Sequence, residues 1–132
     1  MNVNVWIDGG CRRNGAADAE GYASVRIIGR KDTLYTVGLA NAHTNNQAEY
    51  GALLAALDLL AAAKRFPGLR ITIYSDSVLM VSQVAEEFKC KNAVLRDLRQ
   101  AVQQGIADFA VAGVTVSLCN VPRDEVVAKL GH

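Results

Sequence analysis

The sequence has no run approaching the roughly 20 consecutive apolar residues that a membrane-spanning helix requires, so no membrane partner is expected. It has only three cysteines, Cys11, Cys90 and Cys119. Their odd number and wide spacing exclude a disulfide framework and a Cys-x-x-Cys metal site, and point to a reducing cytosol. Each cysteine reads as a small buried hydrophobe. The first residues, Met-Asn-Val-Asn-Val-Trp, lack the charged-then-apolar layout of a signal peptide. A cytoplasmic, monomeric protein is the expectation. With two prolines, no internal repeat and no low-complexity tract, residues 1–132 read as a single domain, long enough to bury a core. A surplus of one charge sign is also missing. Fourteen Lys and Arg face thirteen Asp and Glu, for a net charge of +1. Proteins that grip nucleic-acid duplexes usually carry a basic excess. Affinity of that kind would have to come from local clusters, Arg12-Arg13 and Lys89-x-Lys91, and from backbone amides.

What is present is a clear change of period along the chain. Val3, Val5 and Ile7 alternate with Asn2, Asn4 and Trp6, a strand pattern expected to end at Asp8-Gly9-Gly10. Two further strands, near residues 21–28 and 33–40, are joined by Gly29-Arg30-Lys31-Asp32, which suits a hairpin. From residue 45 to about Lys64, Leu53, Leu57 and Leu60 recur three to four apart. That predicts an amphipathic helix capped by Thr44 or Asn45 and stopped at Phe66-Pro67-Gly68. A strand with Leu69, Ile71 and Ile73 alternating follows and ends at Asp76. Residues 77–88 and 92–105 predict two helices. Val114, Val116 and Leu118 mark a last strand closed by Pro122, and residues 124–130 a short terminal helix. The order βββ-α-β-αα-β-α combines a hairpin with parallel crossovers, hence an α/β fold with a mixed sheet flanked by helices.

Three acids stand out by position. Asp8 closes the first strand, Asp76 closes the fourth, and Glu49 lies near the start of the helix between them. Strand ends beside a topological switch are where open α/β sheets place ligands. Clustered carboxylates repel one another unless a cation sits among them. Oxygen ligands with room for water suit Mg²⁺, with Mn²⁺ able to substitute. Two such ions ~3.5–4 Å apart can activate a water and stabilise the leaving oxygen of a phosphodiester. Each acid also has a plainer role: Asp8 could open a turn, Glu49 could complete a capping box, and Asp76 could cap a helix.

The surrounding residues carry a family resemblance. Asp8-Gly-Gly-Cys-Arg-Arg-Asn14-Gly, Thr44-Asn45-Asn46-Gln47-Ala48-Glu49-Tyr50, and Tyr74-Ser75-Asp76-Ser77 followed by Gln83 and Phe88-Lys89-Cys90-Lys91-Asn92 resemble, in order, the motifs of type 1 ribonuclease H. The similarity extends over nearly the whole chain. It implies a five-stranded mixed sheet of order 3-2-1-4-5, with only the second strand antiparallel to the rest. The implied activity is endonucleolytic hydrolysis of the RNA strand of RNA/DNA hybrids, leaving 5′-phosphate and 3′-hydroxyl ends. Asp8, Glu49 and Asp76 inherit metal-ligand roles, for two ions when substrate is bound. Asn14, Asn45 and Asn46 inherit contacts to the minor groove of the hybrid, where 2′-hydroxyls report RNA. Thr44 inherits a contact to a DNA-strand phosphate. Lys89 and Lys91 are what remains of a basic protrusion that other members carry.

The end of the chain departs from the family. An Asn-x-x-Ala-Asp stretch normally supplies a fourth acid, where this sequence reads Asn120-Val-Pro-Arg-Asp124-Glu-Val-Val-Ala-Lys-Leu-Gly-His132. Keeping Val-Pro-Arg in register puts Leu130 at the acid's place, and a shortened loop puts Asp124 there. Asn120 and Glu125 are further candidates, and a helix cap is the plain role for Asp124. The family's flexible-loop histidine has no counterpart, since His43 reads as a surface residue and His132 as a frayed end. A catalytic ribonuclease H is the leading expectation. A hybrid-binding module with weak or no catalysis is the alternative, and another nuclease of the same fold, such as an integrase, transposase or resolvase, is a third.

Overall fold

The computed structural model describes residues 1–63 and 67–131. Nine elements follow in the expected order: β1 (Asn2–Arg12), β2 (Glu20–Ile28), β3 (Asp32–Leu39), α1 (Asn45–Ala62), β4 (Arg70–Ser75), α2 (Val78–Val84), α3 (Ala93–Val111), β5 (Thr115–Asn120) and α4 (Arg123–Leu130). The five strands form one sheet in the order β3-β2-β1-β4-β5. β1 pairs antiparallel with β2 and parallel with β4, so β2 alone runs against the others. Fold class and strand order are those the sequence predicts.

Val5 and Ile7 are fully buried under α1, and Ile71 and Ile73 of β4 continue the same layer. The alternating residues of β1 face the other side, toward α4. There Trp6 stacks on Tyr74 with ring centroids 4.3 Å apart, and the Lys129 ammonium lies 5.4 Å from the Trp6 ring. Val126 and Leu130 seal α4 onto this side. Leu130, the residue that strict register would set at the fourth acid's place, is therefore core.

β1 does not stop at Asp8. It runs on to Arg12, with Asp8 opposite Ser24 and Gly9 opposite Ala23. Gly9-Gly10 looked like a turn, but these glycines serve close approach within the strand. A Cβ on Gly9 would stand 2.1 Å from the carbonyl oxygen of Ala48, and one on Gly10 would stand 2.3 Å from the Tyr22 hydroxyl. The bare Gly9 backbone lets the first turn of α1 settle onto β1, which sets the residue after Ala48 beside Asp8.

α1 begins where expected, with Thr44 as N-cap accepting the Gln47 N–H at 3.1 Å. It packs against the sheet on one side and α3 on the other, so its apolar residues spread around more than one stripe. The described helix ends at Ala62; Lys64 and Phe66 lie outside the described residues, as does His132. α2 is shorter than predicted, because Glu86 takes a left-handed φ of 61° and the amides of Glu87 and Phe88 turn back to the Ser82 carbonyl. α3 is longer, with Asn92 as its cap and Gly105 inside it rather than ending it. A Cβ at Gly105 would meet the Leu57 side chain at 3.2 Å, so the glycine marks a tight helix–helix contact.

Candidate active site

Asp8, Glu49 and Asp76 arrive from β1, α1 and the residue just beyond β4. They present carboxylate oxygens that all lie within 4.8 Å of one another. Asp8 is 5% exposed, and Asp76 sits at the mouth of the sheet where Ser77 caps α2. Asp76 follows β4 rather than ending it. The Gly9 amide also reaches Glu49, yet the Glu49 Oε2 is buried without a hydrogen-bond partner. Burial, and then the charges of Asp8 and Asp76, push the Glu49 carboxyl up to about 8. An orphaned buried oxygen beside two other carboxylates is a site short of positive charge.

Part of that charge comes from Arg123, the first residue of α4. Its Nη1 donates to Asp8 Oδ1 at 2.8 Å and to Asp76 Oδ2 at 2.9 Å. The guanidinium is held above its ordinary pKa by these two bonds. The donor set is oxygen-only, one oxygen is unpaired, and a cation already bridges the other two acids. These residues fit a hard divalent ion. The Val-Pro-Arg run served only to fix register in the sequence reading, so the role of Arg123 was missed.

The fourth-ligand candidates do not join this group. Asp124 is exposed on the first turn of α4, where its Oδ1 accepts the Glu125 N–H at 3.1 Å. Asn120 donates to the Ser75 carbonyl at 3.1 Å, closing the end of the β4–β5 pair. Glu125 is exposed on the same turn as Asp124.

Asn14, Thr44, Asn45 and Asn46 come together in a neighbouring polar cleft of about 430 Å³, joined by Asn92. Thr44 and Asn92 are the caps of α1 and α3, so two helix N-termini open on this cleft, an arrangement that favours anions. The Asn14 Oδ1 accepts the Asn45 N–H at 2.7 Å, and the Asn45 Oδ1 accepts the Cys11 N–H at 3.0 Å. Because the partners are N–H donors, both amide oxygens are engaged inside the protein and both NH₂ groups remain for a ligand's acceptors. Lys89 and Lys91 stand apart, on the loop between α2 and α3. Arg13 is paired with Asp18.

A twisted five-stranded sheet with three acids converging beside its central strand defines a ribonuclease H-like domain. The RNase H family profile matches residues 1–116, and the chain belongs to that family. The match stops inside β5, ahead of the segment where the fourth-acid pattern departs. Among solved structures, RNase H1 from the halophilic archaeon Halobacterium salinarum is similar at 25% identity and a TM-score of 0.79, covering 96% of this chain and 89% of that one. The N-terminal RNase H domain of Rv2228c from Mycobacterium tuberculosis is similar at 24% identity, 97% and 87% coverage, and TM-score 0.75. LC11-RNase H1 in complex with RNA/DNA hybrid shares the fold at 20% identity, 96% and 89% coverage, and TM-score 0.73. No curated protein sequence matches the chain. Family membership makes this a ribonuclease, and the Asp8, Glu49 and Asp76 cluster could hold a metal ion.

Proposed function

We propose that the protein is an endonuclease that hydrolyses the RNA strand of RNA/DNA hybrids and leaves 5′-phosphate and 3′-hydroxyl ends. The observation that carries this reading is the convergence of Asp8, Glu49 and Asp76 with the buried, unpartnered Glu49 Oε2. Asp8, Glu49 and Asp76 would hold divalent ions, Mg²⁺ or Mn²⁺, with two present once substrate is bound. Asp124 is the α4 carboxylate proposed to complete the set. Such ions supply Lewis acidity and a water nucleophile at neutral pH.

The chain's own residues do the rest. The NH₂ groups of Asn14 and Asn45, with Asn46, reach acceptors in the wide minor groove, including 2′-hydroxyls. The Thr44 and Asn92 helix termini take a backbone phosphate of the DNA strand. Lys89 and Lys91 add charge to the same strand. The domain is proposed to act as a monomer in the cytoplasm. The three cysteines are free, and no described helix is long and apolar enough to cross a membrane.

The test is cleavage of an end-labelled hybrid with Mg²⁺ or Mn²⁺, wild type against Asp76→Asn. RNA-strand cutting that needs metal and is lost in the variant is expected. Hybrid binding with no metal-dependent cutting would select the second reading, a binding module with weak or no catalysis. The Arg123 bridge across Asp8 and Asp76 is what favours that second reading.

A further inference from the structure

Tyr22 of β2 is 42% exposed, and its hydroxyl forms no hydrogen bond among the described residues. Side chains alternate across a strand, so the neighbouring glycines fix which face of the sheet it occupies. Cβ atoms on Gly9 and Gly21 would run into Ala48 and Ala42, on the side covered by α1 and the loop leading into it. Asp8, Gly10 and Tyr22 therefore lie on the other side, where Arg123 reaches Asp8. In register, Tyr22 stands between two glycines, Gly10 on β1 and Gly38 on β3. Its phenol leans over Gly10, where a Cβ would stand 2.3 Å from the hydroxyl oxygen and 2.5 Å from the ring carbon bearing it. A Cβ on Gly38 would meet nothing within 4 Å, so the β3 side of the ring is open to a ligand.

Gly10 follows Asp8 by two residues, about 7 Å along β1. A phenol leaning over it is an amphipathic group, apolar ring and polar tip, held beside the carboxylates with its donor unengaged. The chemistry around it favours an anion. Arg12, two residues further along the same face, is exposed and has no ion pair among the described residues, although Glu20 stands opposite it. The amides of Asn45 and Asn46, which the hybrid reading assigns to the minor groove, begin α1 on the opposite side of the sheet. A strand crossing Asp8 would thus turn its 2′-hydroxyls toward α1 and its phosphates toward Tyr22.

We propose that Tyr22 positions the RNA strand. Its hydroxyl donates to a phosphate oxygen at a linkage next to the scissile one, and its ring packs against the ribose between them. The inference rests on the hybrid-nuclease reading and adds to it a substrate contact on the sheet face away from α1. The contact is to backbone, so it is indifferent to sequence.

Because the hydroxyl has no partner within the protein, Tyr22→Phe removes the donor and leaves the packing in place, so its Tm should match wild type. The experiment is kcat/KM for cleavage at a mapped site in a short hybrid with Mg²⁺, wild type against Tyr22→Phe. Loss of a hydrogen bond to a charged acceptor predicts a fall of roughly 10-fold. The hybrid is then remade with a single neutral methylphosphonate at the RNA linkage on one side of the cut or the other. At the contacted linkage, wild type should slow by a similar factor and the two proteins should cut at the same rate. Neutral linkages in the DNA strand should leave the difference between them in place. Equal kcat/KM for the two proteins on unmodified hybrid overturns the contact. So does a difference that survives neutral linkages on both sides of the cut, or one that vanishes with the neutral DNA strand. If wild type does not cut the RNA strand at all, the parent reading falls with it, and that outcome is visible before any variant is compared.

Discussion

Replacing Arg123 by Gln removes the cation that touches Asp8 and Asp76 while keeping a polar side chain at the start of α4. The magnitude follows from unequal exposure. The Arg123 side chain is 58% exposed, but its partners Asp8 and Asp76 are only 6% and 11% exposed. A solvent-exposed pair is worth ~0.2–1 kcal/mol, whereas stripping the partner from a buried charge costs about 3–5 kcal/mol. With one exposed and two buried groups, the metal-free variant should lose about 1–3 kcal/mol. For a domain of this size each kcal/mol moves Tm by about 3–5 °C. The same bonds must be given up when a divalent ion takes the carboxylates, so the variant should bind Mn²⁺ tighter, by roughly 5- to 150-fold. Calorimetric titration with Mn²⁺, alongside scanning calorimetry of the metal-free proteins, reads both quantities. A variant with unchanged Tm and unchanged Mn²⁺ affinity would refute the view that Arg123 holds the metal's place.

With Glu49 raised from 4.5 to about 8, protonation is favoured in the folded state, so its contribution to stability is complete below ~4.5 and lost as pH rises through ~8. Metal-free protein should therefore be less stable at pH 8.5 than at pH 5, by at most about 5 kcal/mol, and Glu49→Gln should flatten that dependence. Gly9→Ala would place a methyl group 2.1 Å from the Ala48 carbonyl oxygen. A cost of about 1–3 kcal/mol or more is expected, with a larger fall in cleavage because Glu49 moves with α1; wild-type activity would show that the approach is not tight. Asp124→Asn should weaken Mn²⁺ binding and cleavage if α4 supplies the fourth ligand, and nearly intact values for both would remove Asp124 from the set.

Period and order were legible in the sequence wherever burial is one-sided. Val5 and Ile7 alternate because one face of β1 is sealed by α1, and Leu53, Leu57 and Leu60 recur because α1 must cover the sheet. The trio Asp8, Glu49 and Asp76 was legible because three motifs fixed their elements independently. What escaped depended on contacts between distant segments. Gly9-Gly10 has the local chemistry of a turn, and only the approach of Ala48 and Tyr22 shows why a strand carries two glycines. Gly105 misled for the same reason, since the Leu57 contact that calls for it comes from another helix. Arg123 lies 115 residues from Asp8 along the chain, and no local pattern signals a bridge across that separation. Asn92 was legible as a boundary, but its place in the cleft with Asn14 and Thr44 depends on how α1 and α3 pack.

Three converging carboxylates are proposed to make this domain a metal-dependent cutter of the RNA strand in hybrids. The most direct measurement is cleavage of a hybrid labelled on each strand in turn, beside duplex DNA of the same sequence, with Mg²⁺, with chelator, and with Asp76→Asn. RNA-strand products bearing 5′-phosphates are expected with Mg²⁺ alone, and intact DNA throughout. Cutting that persists in Asp76→Asn or with chelator, or that treats duplex DNA and hybrid alike, would contradict it.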